Sequence, residues 1–131
     1  MELELERVIG PMRAAAERDG SAQERLAEFA AAYQDVLFSD DCLAMYRFVI
    51  GAAGESPEFG EAFDATVVEY VVGLVTPLVA ELTRDADGAR DRADRLIGTL
   101  QGTELNRALA GVPVDRERLA RLRALALAGL R

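Results

Sequence analysis

The stretch Val67-Val-Glu-Tyr-Val-Val-Gly-Leu-Val75 decides the fold. On propensity alone it reads as a strand, because β-branched side chains suit a pleated surface. Its setting says helix. A lone strand has no partner here, and the rest of the chain is helical in period. Upstream, Ser56-Pro57-Glu58 offers an N-cap, a proline in the first turn and an acid near the positive end of the dipole. Downstream the apolar pattern reaches about Leu82. Such a helix spans ~40 Å at 1.5 Å per residue. Being apolar on nearly all sides, it is expected at the centre of the fold. Pro77 removes the bond to the carbonyl of Gly73, which predicts a kink there.

Five more helices surround this one. The first covers about Glu2 to Arg18, with Leu5, Val8, Ile9, Met12, Ala15 and Ala16 on one face; Gly10-Pro11 predicts a kink or a later start. The second opens at Ser21-Ala-Gln-Glu24, a capping box, and turns Leu26, Phe29, Ala30, Tyr33, Val36 and Leu37 inward. Ser39-Asp40-Asp41 caps the third, about Asp41 to Ala53, which ends at Gly54. The fifth runs from about Ala89 to Ala110, and Asp115 caps a sixth that reaches about Leu130. Connections are short, so neighbouring helices pack on each other in one all-α domain over residues 1–131.

Composition removes several functions. The chain has 131 residues, 15 basic and 23 acidic, for a net charge of −8. Every basic residue is Arg, and His and Trp are absent. Without His, Ser–His and Cys–His catalysis and His-ligated metals are gone, so no metal or cofactor is expected. The acidic balance opposes phosphate gripping, so the chain itself is not expected to bind nucleic acid. No apolar stretch reaches the ~18 residues of a membrane span. Met1-Glu-Leu-Glu-Leu-Glu6 is no signal peptide, which predicts a cytoplasmic protein. The single Cys42 cannot form an internal disulfide.

Four segments then carry a resemblance: Leu43-Ala-Met-Tyr-Arg-Phe-Val-Ile-Gly-Ala-Ala53, Ser56-Pro-Glu-Phe-Gly-Glu-Ala-Phe63, Leu96-Ile-Gly-Thr-Leu-Gln-Gly-Thr-Glu-Leu-Asn-Arg-Ala-Leu-Ala-Gly111 and Val114-Asp-Arg-Glu-Arg-Leu-Ala-Arg-Leu122. Together they resemble the regulatory C-terminal domain of TetR-family transcriptional repressors, of the AefR-like type. The resemblance spans roughly residues 23–130 and rests on patterns of apolar and small residues. It implies a six-helix domain that binds a ligand among its first five helices and dimerises through a four-helix bundle. Family members also carry an N-terminal helix-turn-helix domain, and no such segment is found in these residues.

Side chains point to candidate sites. On the fifth helix, Gly98, Gly102, Leu105 and Leu109 share a face. Glycine inside a helix costs ~1 kcal/mol relative to Ala, and its usual return is close approach of another backbone. That backbone is a symmetry mate, with Leu122 and Leu125 of the sixth helix joining the homodimer face, or it is the sixth helix of the same chain. Gln101 and Glu104 lie on the inward side. They mark the polar end of a pocket, or Glu104 pairs with Arg107 or Arg47 as plain structure. Phe29, Tyr33, Tyr46, Phe63 and Tyr70, with Met45 and Thr66, are the remaining pocket candidates; ordinary core is the other reading. Cys42, near a helix start, is a sensing thiolate or a small packed residue. Arg116, Arg118, Arg121 and Arg123 read as a solvated face.

Three functions follow from these readings. The first is a ligand-sensing and dimerising regulatory domain, taking a small apolar or aromatic effector. The second is an interaction module that pairs with a full-length relative. The third is an acid–base enzyme with Glu69 or Glu104 as base and Tyr33, Tyr46 or Tyr70 as donors. The first is expected and catalysis is not.

Overall fold

The computed structural model describes residues 2–130, with side chains from Glu6 onward and that of Thr66 excepted. The inward placement of Leu5 and the pocket placement of Thr66 therefore lie outside the described side chains. Eight α-helices follow in order: α1 Glu2–Glu17, α2 Ala22–Leu37, α3 Asp40–Ala53, α4 Pro57–Phe63, α5 Glu69–Thr83, α6 Ala89–Gln101, α7 Glu104–Leu109 and α8 Arg116–Ala128. The described residues contain no strand, so Val67 to Val75 is helical as its setting requires.

Local chemistry accounts for the helix starts. Ser21 Oγ accepts from the Glu24 amide at 3.1 Å and donates to Glu24 Oε1 at 3.1 Å. Ser39 Oγ accepts from the Cys42 amide at 3.2 Å, and Asp115 Oδ1 accepts from the amides of Glu117 and Arg118. Ser56 does not cap the backbone; its hydroxyl donates to Glu58 Oε2 instead. The helix α1 runs through Pro11 and α5 runs through Pro77.

The expected fourth and fifth helices are each modified once. Between α4 and α5, residues Asp64–Val68 wind as a π-helical turn, closed by the Glu69 amide on the Asp64 carbonyl. Helical winding is thus continuous from Pro57 to Thr83, with one widened turn in the β-branched stretch. The fifth helix breaks at Gly102, whose φ of 53° and ψ of −159° no other residue adopts easily. That break corrects the shared face expected for Gly98, Gly102, Leu105 and Leu109, because α7 starts in a new direction.

At the centre, α5 buries Val71, Val72, Val75, Leu78 and Val79 against α1, α2 and α6. Glu69, Tyr70, Gly73, Pro77 and Glu81 remain exposed, so the helix is central with one wet stripe rather than enclosed. From α2, Leu26, Phe29, Ala30, Tyr33 and Leu37 meet it, and α6 adds Ala93, Leu96, Ile97 and Leu100. Fully burying each Leu, Val or Phe contributes roughly 1.5–3 kcal/mol.

A Cβ placed on Gly102 would stand 2.8 Å from Leu122 Cδ1 of α8. Gly102→Ala therefore combines backbone strain with a clash and is expected to destabilise by about 1–3 kcal/mol. Urea unfolding measures this, and an unchanged midpoint would refute it. Pairing the change with Leu122→Ala in a double-mutant cycle isolates the clash, with a coupling above ~0.5 kcal/mol expected.

Candidate functional site

A cavity lies where α1, α2, α3, the π turn, α5 and α6 meet. Its wall is formed by Val8 and Met12, by Tyr33, Val36 and Leu37, by Cys42, Met45 and Tyr46, by Val67, Val68 and Val71, and by Ile97 and Gln101. The volume is about 30 Å³, room for one or two waters. None of these wall residues is charged. The cavity's polar groups are the phenols of Tyr33 and Tyr46, the Cys42 thiol and the Gln101 amide, and Gln101 Nε2 donates to Tyr33 Oη at 2.8 Å.

The apolar wall disfavours ionisation. Burial pushes the Tyr33 phenol well above its usual range, with the neighbouring Tyr46 adding to it and the Gln101 bond opposing. Burial likewise raises Tyr46 to about 12, helped by Cys42. The Cys42 thiol is raised to about 11, again by burial. This overturns the thiolate reading: the helix start at Ser39 does not offset the apolar surroundings, and the thiol stays protonated and packed.

Four of the expected pocket residues meet here: Tyr33, Met45, Tyr46 and Gln101. Phe63 stands behind the wall, its ring edge-on to Tyr46 at 5.2 Å. Phe29 is 0% exposed and stacked near Tyr33 at 6.0 Å, so it is core rather than lining. Tyr70 is turned outward at 38% exposure, where its hydroxyl accepts from Arg13 Nε at 2.8 Å. Glu104 is buried but faces away from the cavity; Oε1 accepts from Arg107 at 2.6 Å and Arg118 at 3.0 Å. Arg118 stays exposed, as its solvated face requires, while reaching Glu104. Arg47 does not reach Glu104 and instead donates to the carbonyls of Ala108 and Leu109, closing the end of α7.

The expected dimer-face residues separate in the same way. Leu105 is buried, Leu109 half-buried, and Gly102 receives Leu122 of its own chain. Gly98 has nothing within 4 Å of where a Cβ would stand, and Leu125 is 65% exposed. Beside them a groove of about 100 Å³ runs between Arg92, Arg95, Leu96 and Thr99 of α6 and Leu125, Ala126, Gly129 and Leu130 at the chain's end.

One buried polar residue escaped the sequence reading. Gln34 Nε2 donates to the carbonyls of Leu100 at 3.1 Å and Leu119 at 3.0 Å, and its Oε1 accepts from Arg123 at 3.0 Å. Its position, four after Ala30 and three before Leu37 on the inward stripe of α2, was the available signal.

The raised acidities set a pH dependence. Below about pH 8 the thiol and phenols are largely protonated in both folded and unfolded chains, so they contribute almost no slope. As pH rises, the unfolded chain releases the Cys42 proton from about 9.0 and the Tyr46 proton from about 10.0, while the fold holds them to about 11 and about 12. Stability therefore falls across that window. Urea midpoints from pH 8 to 12 measure it. Tyr46→Phe should flatten the upper part of the fall and Cys42→Ala the lower part; identical slopes in both variants would contradict the assignment.

The family model of the AefR-like transcriptional repressor C-terminal domain matches residues 24–126. No curated protein and no solved structure matches the chain at a significant level. Among the described residues, no helix is long and apolar enough to cross a membrane. The matched span takes in the wall of the cavity from Tyr33 to Gln101 and most of α8, and by it the chain belongs to the family of AefR-like C-terminal domains of TetR-type transcriptional repressors.

Proposed function

We propose that the chain is a ligand-sensing and dimerising domain of a TetR-like regulator, taking an uncharged apolar or aromatic effector. The observation that carries this reading is the charge-free wall around a hydrogen-bonded polar pair, Tyr33 and Gln101. Ligand pockets are mostly apolar with a few converging polar groups. At about 30 Å³ the cavity is closed to a molecule of that kind, so binding requires an opened conformer. The means of opening line it: Val67 and Val68 in the π turn, and the unbranched side chains of Met12 and Met45. A ligand held only by the open form pays a population penalty, so apparent affinity is weaker than intrinsic affinity.

One observation favours the interaction-module reading, namely how little space the cavity leaves. Both readings use the same partner surface, the outer side of α6 and α8 around Gly98 and Leu125. The acid–base reading finds no base at the cavity. Glu69 is exposed and paired with Arg90, and Glu104 is held by two arginines. With its net charge of −8 the chain is not expected to grip duplex DNA by itself.

Two measurements test the proposal. A ligand present at ten times its Kd stabilises by about 1.4 kcal/mol. Millimolar p-cresol should therefore raise the melting temperature by several degrees, and Met45→Trp, which fills the cavity, should abolish the rise. A series of uncharged aromatics that gives no rise would leave the interaction module as the better reading. For the dimer, sedimentation at micromolar concentration should show a twofold assembly. Leu125→Glu and Gly98→Glu should each yield monomers of unchanged helicity, since both place a charge beside its symmetry copy. A monomeric unmodified chain would overturn the dimer.

A further inference from the structure

Two hydrogen bonds cross from α2 to α6 side by side. Gln101 Nε2 meets Tyr33 Oη at 2.8 Å in the cavity wall, and one residue along each helix Gln34 Nε2 meets the Leu100 carbonyl at 3.1 Å. The Gln34 amide is 1% exposed and has both N–H groups in use, with the second on Leu119 and its oxygen accepting from Arg123, both in α8. It therefore cannot follow a shift of α6 unless α8 follows too or a bond is left unmade in dry surroundings, which is strongly disfavoured. Leu122, seated over Gly102 at the end of α6, adds an apolar contact at the same junction.

We propose that the Tyr33–Gln101 pair selects an uncharged ligand bearing one hydrogen-bonding group, and that Gln34 carries its presence from α6 to α8. This rests on the ligand-sensing reading above. Selection follows from the wall: an anion or cation placed there would be buried with no countercharge. The same burial that keeps the two phenols protonated acts on a ligand carboxylate in the same direction. A ligand hydroxyl or carbonyl competes for the Gln101 N–H or the Tyr33 oxygen and loosens the α2–α6 crossing. The adjacent bond to Leu100 then changes, and the Gln34 amide, with both its N–H groups in use, moves Leu119 and Arg123 with it. The output is a shift of α8, the helix that carries Leu125 on the proposed dimer face.

The side-chain amides provide a direct readout. The chain has only Gln23, Gln34, Gln101 and Asn106 to give such signals. In ¹⁵N spectra of the full chain at pH 7, p-cresol should move the signals of Gln101 and Gln34 and the backbone amides of residues 119–123 with one midpoint. The anion p-toluate at equal concentration should move none of them. In Gln34→Leu, the midpoint read at Gln101 should stay within threefold while the α8 shifts fall by more than half. Arg123→Gln, which removes one arm and leaves the buried amide bonded to both carbonyls, should reduce the α8 shifts even if Gln34→Leu fails to fold. If p-cresol moves Gln101 but not Gln34 or α8, or if Arg123→Gln leaves the α8 shifts intact, the relay is wrong and ligand sensing stands. Equal binding of p-toluate refutes the selection alone. If p-cresol and other neutral aromatics leave Gln101 unmoved, the sensing reading fails and takes the relay with it.

Discussion

When α6 stops at Gly102, the carbonyl of Leu100, a fully buried residue in its last turn, takes a partner from outside the helix. A helix end buried in this way must find donors, and Gln34 supplies one to Leu100 from across the bundle. The other two contacts of that amide draw α8 onto α2, so one side chain fixes three helices. The break also turns α7 so that Glu104 meets Arg107 and Arg118, while Arg47 closes the far end of α7. A straight fifth helix would satisfy Leu100 internally and would leave Gln34 with one N–H unpaired in the core, its other contacts to Leu119 and Arg123 remaining. The left-handed glycine and the buried glutamine therefore depend on each other.

The cavity shows a second dependence, between polarity and packing. Tyr33 stacks on Phe29 on one side and bonds Gln101 on the other, so its ring is held at the seam between core and cavity. Tyr46 is held more loosely, by one edge contact with Phe63 beside the π turn. The wall thus has one side tied by a hydrogen bond, between α2 and α6, and one side held by ring packing, at α3 and the π turn.

Helix identity was legible in the sequence wherever period and caps agreed. The hydroxyls at Ser21 and Ser39 and the carboxylate at Asp115 start helices as their positions indicate. Even the β-branched Val67 to Val75 was readable, because nothing else in the chain could pair with it. Direction was harder. Helical spacing from Gly98 through Leu109 assumes one unbroken axis, and nothing local to Gly102 distinguishes a glycine on a helix from a glycine that ends one. Once the axis turned, residues assigned to a shared outer face were redistributed between core and surface. The site was read in part. Tyr33, Tyr46, Met45 and Gln101 converge because each lies on its helix's inward stripe and near the same level of the bundle. Tyr70 shares the apolar character of its neighbours, yet its hydroxyl and ring found Arg13 at the surface. A pattern of apolar residues cannot reveal such a long-range cation.

The small volume and the charge-free wall are two sides of the same constraint. A pocket kept open in water by polar walls would be wet, and wet walls would lose the discrimination against ions that dry ones provide. A pocket lined with valine, methionine and phenol instead closes on itself, because each unfilled gap forfeits contacts. On the proposed reading, the closed state is the resting state, and the effector supplies the contacts that its opening removes. This favours ligands that fill space well over ligands that merely bond well. It also leaves the single hydrogen bond between Tyr33 and Gln101 as the feature by which ligands of equal size would be told apart.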